Sequence, residues 1–159
     1  MIRPRLDAQR HNERPHVLII SDDPALAEFL SQGLPLGGFW TSLIASGLQA
    51  LEVFRLRQFD VIAIDASLQS FNAVELMRRL RGISPRAEAS TARTSAPFVV
   101  FGELPTSGEA PSDDDLGIGA RILPPVELEE VVPILHGVFA KWRAAHPDAP
   151  LADAASRDF

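Results

Sequence analysis

The chain has 159 residues, a hydrophobic share of 46% and a formal net charge of -6, which suits one well-developed core and is too short for two comfortable domains. No uncharged apolar span approaches the roughly 18 residues of a transmembrane helix, and the absence of cysteine excludes disulfides and thiolate metal sites and fits a cytoplasmic setting. The acidic balance supplies no global electrostatic basis for binding nucleic acid.

Residues 1–15 are polar, carry four arginines and lack the apolar block of a secretory signal, so they are expected to form a flexible arm ending at Pro15. His16 to Ile20 is a short apolar run followed by Ser21-Asp22-Asp23-Pro24, the pattern of a buried strand and a turn. Asp23 before Pro24 suits a helix cap and a first-turn proline. Leu26, Phe29, Leu30 and Leu34 then supply the expected inward face. Gly37-Gly38 breaks the chain, and the mixed polarity of Phe39 to Ala45 predicts an edge strand. A second helix is predicted from about Gly47, with Leu48, Leu51 and Phe54 inward. Phe59 to Ile64 is the next apolar run and ends on Asp65, as in a parallel strand buried on both faces.

Residues 72–81 predict a third amphipathic helix with Val74, Met77 and Leu80 inward, and Arg78, Arg79 and Arg81 outward near its negative end. The stretch from Gly82 to Ala96 is a long irregular connection. Phe98 to Phe101 returns to the sheet after Pro97. Between residues 102 and 119, two prolines, four glycines and Asp113-Asp114-Asp115 leave room for at most a short turn around Ser112 to Leu116. Ala120 to Leu123 is the predicted last strand, with Gly117-Ile118-Gly119 as a turn before it. Leu128, Val131, Leu135, Val138 and Trp142 mark a long final helix, within which Pro133 requires a late start or a bend. The tail from residue 144 reads as a linker, suited to joining an effector domain.

This βα alternation predicts an α/β fold: a doubly wound, five-stranded parallel sheet of order 2-1-3-4-5 with an irregular fourth crossover. The domain is expected over residues 16–143, flanked by the arm at 1–15 and the tail at 144–159. The histidines His11, His16, His136 and His146 have no metal-ligand spacing, and Phe39-Trp40 reads as core. No Walker motif, dinucleotide fingerprint or nucleophile elbow occurs.

The segments VLIISDDPALAEFL, GLQALEVFRLRQFDVIAIDASL and ILPPVELEEV, in that order, resemble bacterial response-regulator receiver domains over about residues 16–143. The resemblance implies a flavodoxin-like receiver fold and places the family phosphoacceptor on Asp65. It assigns Mg²⁺ to Asp22, Asp65 and the backbone carbonyl of Ser67. Four family positions are altered: Ser21 replaces the first acid of the metal pair, Gly102 the hydroxyl switch residue, Arg121 the switch aromatic, and Pro124 the lysine before Pro125. With two carboxylates left, Mg²⁺ binding is weakened rather than forbidden. Pro124 supplies no cation for phosphoryl oxygens.

The expected function is therefore signal transduction through protein–protein interaction by a divergent receiver module, with weak or absent phosphorylation. Any enzymatic activity is limited to receiver-type autophosphorylation and autodephosphorylation. The alternative is a working two-component receiver, phosphorylated on Asp65 by a histidine kinase or phosphotransfer protein. The expected partner is a regulatory protein or a histidine kinase, with a homodimer through the final helix as a further assembly. No direct nucleic-acid contact and no membrane association are expected.

Overall fold

A computed structural model describes residues 14–69, 71–84, 92–104 and 112–149. The elements in chain order are β1 (His16–Ile20), α1 (Pro24–Gly33), a 3-10 turn (Leu34–Gly37), β2 (Trp40–Ile44), α2 (Gly47–Phe54) and β3 (Val61–Asp65). They continue with α3 (Ala73–Arg81), β4 (Phe98–Phe101), α4 (Asp113–Leu116), β5 (Ile118–Ile122) and α5 (Leu128–Ala145). The strands form one parallel sheet in the order β2-β1-β3-β4-β5.

Strand alternation sends successive side chains to opposite faces, and both faces are covered. On one, Leu18, Ile20, Ile62, Ile64, Phe98 and Val100 pack under α2 and α3 against Phe54, Leu76, Met77 and Leu80. On the other, Val17, Ile19, Val61, Ala63, Val99 and Phe101 meet Leu30, Leu34, Val131, Leu135 and Phe139. Each large aliphatic or aromatic side chain removed from water contributes about 1.5–3 kcal/mol. This burial on both faces explains why β1, β3 and β4 are continuous apolar runs.

Helix starts follow the local chemistry. Asp23 caps α1 by accepting the Ala25 N–H, Ser46 caps α2 and Asn72 caps α3. Ser112 caps the single-turn α4 expected between Ser112 and Leu116, and Gly117 closes it with φ +73°. Helix α5 begins at Leu128, so Pro133 falls in its second turn, where the Glu129 carbonyl lacks its usual donor. Arg14 donates to the carbonyls of Pro35 (2.7 Å) and Phe39 (3.0 Å), with its guanidinium over the Trp40 ring.

Several expectations are corrected. Phe29 and Leu48 are exposed, while Ala27 and Ala50 take the inward positions. Strand β5 starts at Ile118, so Ile118-Gly119 belongs to the sheet rather than to a turn. Arg81 turns inward. Its guanidinium donates to the carbonyls of Leu116, Thr94, Ala96 and Gly117 and lies 3.9 Å from the Phe98 ring centroid. The connection expected to be irregular at Gly82 to Ala96 lies outside the described residues at 85–91. Among the described residues, no helix is long and apolar enough to cross a membrane.

Candidate functional site at the carboxyl ends of the strands

The parallel register brings Ile20 beside Ile64 and Asp65 beside Phe101. The residues that follow β1, β3, β4 and β5 therefore converge at one end of the sheet. Asp65 is 4% exposed and Ser21 2%. The Ser21 hydroxyl donates to Asp65 Oδ2 at 2.7 Å. On the other oxygen, Oδ1 accepts the Ser67 N–H at 2.8 Å and the Ser67 hydroxyl at 2.6 Å. Three donors thus hold a buried carboxylate that would otherwise be costly to remove from water.

Asp22 lies beside this pair without joining it directly. Its Oδ2 accepts the Gln69 N–H at 2.9 Å, and the Gln69 side-chain amide donates to the Ser67 carbonyl at 3.2 Å. Gln69 therefore occupies two of the oxygens assigned to Mg²⁺ on resemblance, Asp22 and the Ser67 carbonyl. Sequence reasoning missed this residue, because a backbone N–H and a surface amide four residues after Asp65 carry no motif. Oxygen donors of the right kind for Mg²⁺ are present, each already engaged by a protein donor. Among the described residues, no group of three or more His, Asp or Glu side chains is placed to hold a metal.

The β4 and β5 side of the site is different. Gly102 follows β4 with φ +100° and donates its N–H to the Ile122 carbonyl at 2.9 Å, so it closes a strand-end contact and presents no hydroxyl. Pro124 follows β5, joined to Pro125 by a cis peptide bond. Asp65, Ala66, Ser67, Phe101, Gly102 and Pro124 line a cavity of about 300 Å³, to which Asp23, Leu26, Glu103 and Val126 also contribute. Among the described residues, no lysine or arginine lines it. Asp23, set one residue beyond the expected metal pair, lines this cavity, and Asp22 does not.

Arg121 is directed elsewhere. It forms an exposed ion pair with Asp113, its Nε donating to Oδ2 at 2.9 Å. The Arg121 guanidinium holds the Asp113 carboxyl below the usual carboxylate range. The structure thus brings Ser21, Asp65 and Ser67 into direct contact, places Gly102 and Pro124 on the same cavity, and leaves Asp22 joined through Gln69 and Arg121 outside.

No family model matches the chain. Over 90 residues it is 37% identical to the DNA-binding response regulator MtrA of Mycolicibacterium smegmatis, covering 56% of this chain and 40% of MtrA. Over 69 residues it is 33% identical to the transcriptional regulatory protein CseB of Streptomyces avermitilis, covering 43% of this chain and 29% of CseB. The chain thus spans less than half the length of these relatives. A sensor protein from Polaromonas sp. JS666 superposes with a TM-score of 0.64 and 27% identity, covering 80% of this chain and 98% of that one. The receiver domain of the sensor histidine kinase PA1611 from Pseudomonas aeruginosa, solved with magnesium coordinated in its active-site cleft, shares the fold at a TM-score of 0.60 and 19% identity. That match covers 79% of this chain and 98% of the PA1611 domain. Sequence likeness, strand order and the acid at the end of β3 agree on a receiver domain, similar to those of response regulators and sensor proteins.

Proposed function

We propose that residues 16–143 act as a signalling module that works through protein–protein contact, with phosphorylation of Asp65 weak or absent. The observation that carries this reading is the cavity beside Asp65: the family's lysine and hydroxyl positions are Pro124 and Gly102, and among the described residues no cation lines the space a phosphoryl group would enter. A charge-assisted hydrogen bond of the kind a lysine would make is worth about 1.5–3 kcal/mol, or roughly ten- to a hundredfold in rate. The partner class is a regulatory protein or a histidine kinase, as expected from the receiver relatives. The segments 1–15 and 144–159 are assigned as flanks.

Mg²⁺, if taken up, would be held by Asp22, Asp65 and the Ser67 carbonyl, and would supply charge neutralisation for the phosphoryl oxygens. Uptake would place the ion beside oxygens that already accept from Ser21 and Gln69. The residue-level consequence is that Ser21 competes for Asp65 where the family's acid would recruit the ion.

One observation favours the second reading, a receiver still phosphorylated on Asp65 within a two-component pathway: the carboxylate keeps its strand-end place and lines an open cavity. In that reaction with acetyl phosphate, an Asp65 carboxylate oxygen forms a bond to phosphorus and the bond from phosphorus to the acetate oxygen breaks, acetate leaving. Incubation of wild type and Asp65→Asn with Mg²⁺ and acetyl phosphate, followed by intact-mass measurement, separates the two. The expected result is little or no phosphoryl adduct on either protein. A full adduct on the wild type that is missing from Asp65→Asn overturns the first reading.

A further inference from the structure

We infer that Arg81 is a positioning residue that clamps the α4–β5 corner of the domain in one arrangement, independently of the state of Asp65.

The fourth crossover is too short to hold itself. Helix α4 is a single turn, Asp113–Leu116, with Leu116 as its buried anchor. A helix of this length has almost no stability of its own, so its position depends on what it touches. Arg81, at the end of α3, reaches it from the neighbouring helix. Its Nε donates to the Leu116 carbonyl at 2.7 Å, and one terminal nitrogen donates to Ala96 at 2.6 Å and Gly117 at 3.3 Å. The other terminal nitrogen donates to Thr94 at 2.7 Å. One planar group thereby joins the helix end, the start of β5 and the strand entrance before β4. The guanidinium fork suits this task, since its donors are fixed in a plane and spread over several acceptors.

Two further observations agree. Burial pushes the Arg81 guanidinium down to about 10, leaving it charged at neutral pH, and its acceptors among the described residues are main-chain carbonyls. At Gly117, a Cβ would stand 2.6 Å from an Arg81 terminal nitrogen, and φ is +73°, so a side chain there would collide with the clamp. The same carbonyl of Gly117 accepts the Phe98 N–H at 3.0 Å, tying the corner to β4. Among the described residues no side chain joins this corner to Asp65: Gly102 has none and Arg121 pairs with Asp113 at the surface, so the connection runs through main chain alone, the Gly102 N–H donating to the Ile122 carbonyl.

The test is hydrogen exchange on the whole protein, read amide by amide, in Arg81→Met, Arg81→Lys and Asp65→Asn. Met keeps the apolar stem and removes the donors. Lys keeps the charge but, as a point-like ammonium, cannot span the same carbonyls. Both should raise exchange at Phe98, Leu116 and Gly117 at least about tenfold by local opening, with Leu18 and Ile20 of β1 unchanged. Asp65→Asn should leave the corner as it is in the wild type; coupling is reciprocal, so an Asp65 change that does not reach the corner implies a corner that does not report on Asp65. Unchanged exchange at the corner in both Arg81 variants overturns the clamp. So does an equal rise in β1, since Arg81 would then support the whole fold. A shift of the corner in Asp65→Asn overturns its independence. None of these readouts requires phosphorylation, so the proposed function and this inference can fail separately.

Discussion

The two halves of the strand-end site have fared differently. On the β1 and β3 side, Ser21, Asp22, Asp65, Ser67 and Gln69 form a continuous hydrogen-bonded set around a buried carboxylate. On the β4 and β5 side, Gly102 and Pro124 contribute backbone shape to the cavity and no polar side-chain group. Holding an acid at the end of a strand and stabilising charge delivered to that acid are separable tasks. The first needs donors to a carboxylate, and hydroxyls supply them. The second needs a cation, and among the described residues none lines the cavity.

The largest effect is expected where the first half is pushed back toward two acids. Ser21→Asp places a second carboxylate against buried Asp65 in place of a 2.7 Å hydrogen bond. Like charges at that range raise one pKa by about two units or more, a cost of about 2–3 kcal/mol. Denaturant melts should show this loss without Mg²⁺ and a substantial recovery with it. Recovery absent at millimolar Mg²⁺ would mean that Asp22 and the Ser67 carbonyl are not available as ligands.

On the opposite half, introducing a hydroxyl by Gly102→Thr should cost about 1–2 kcal/mol. The reason is conformational, because φ at Gly102 is +100°, a region that β-branched residues rarely adopt. The space itself is adequate, with the Ala66 Cβ 3.4 Å from an added Cβ. A Gly102→Thr variant as stable as wild type in the same melts would show that the backbone there relaxes freely.

Away from the site, Glu75 offers a smaller, pH-dependent effect. The Ser84 hydroxyl, 2.6 Å away, and the Arg79 guanidinium hold its carboxyl below the ordinary glutamate value. Its contribution to stability is therefore present above about pH 4.3 and is lost as pH falls through the lower folded-state value. Melts of Glu75→Gln against wild type should differ at pH 7 and converge in strong acid. The smallest effect belongs to Arg121→Ala. Its partner Asp113 and Arg121 itself are more than 40% exposed, and exposed pairs contribute about 0–1 kcal/mol. A larger loss would mean that the Arg121–Asp113 pair, rather than Arg81, secures the corner.

Much of the scaffold was legible in sequence because it follows from repetition and local chemistry. The apolar runs ending at Ile20 and Asp65, the cap at Asp23, and the poor helix signal that leaves only a short turn around Ser112 to Leu116 all reappear as structure. Periodicity identified which helices were amphipathic, but it misplaced single residues: a helix of eight to ten residues turns its face by small angles, and Leu48 and Phe29 lie on the wrong side of that boundary. Arg81 was read as outward because a charge is usually solvated. Its acceptors are carbonyls from segments 13 to 36 residues away, and carbonyls leave no mark in a sequence. Gln69 escaped notice for the same reason, its contacts being main-chain or to main chain except at Asp22. The ordered strand-end segments put Asp65, Gly102 and Pro124 after β3, β4 and β5, where they line one cavity, whereas the Ser21 to Asp65 hydrogen bond leaves no mark in the sequence.

The contrast between the two halves is tested most directly by Pro124→Lys. The wild type, Pro124→Lys and the double variant Asp65→Asn/Pro124→Lys are exposed to acetyl phosphate and Mg²⁺, and the phosphoryl adduct is followed by intact mass over time. The account predicts negligible adduct on the wild type and a rate increased roughly ten- to a hundredfold by Pro124→Lys, abolished when Asp65 is also replaced. Rapid, complete phosphorylation of the wild type at a rate that Pro124→Lys does not change would contradict it.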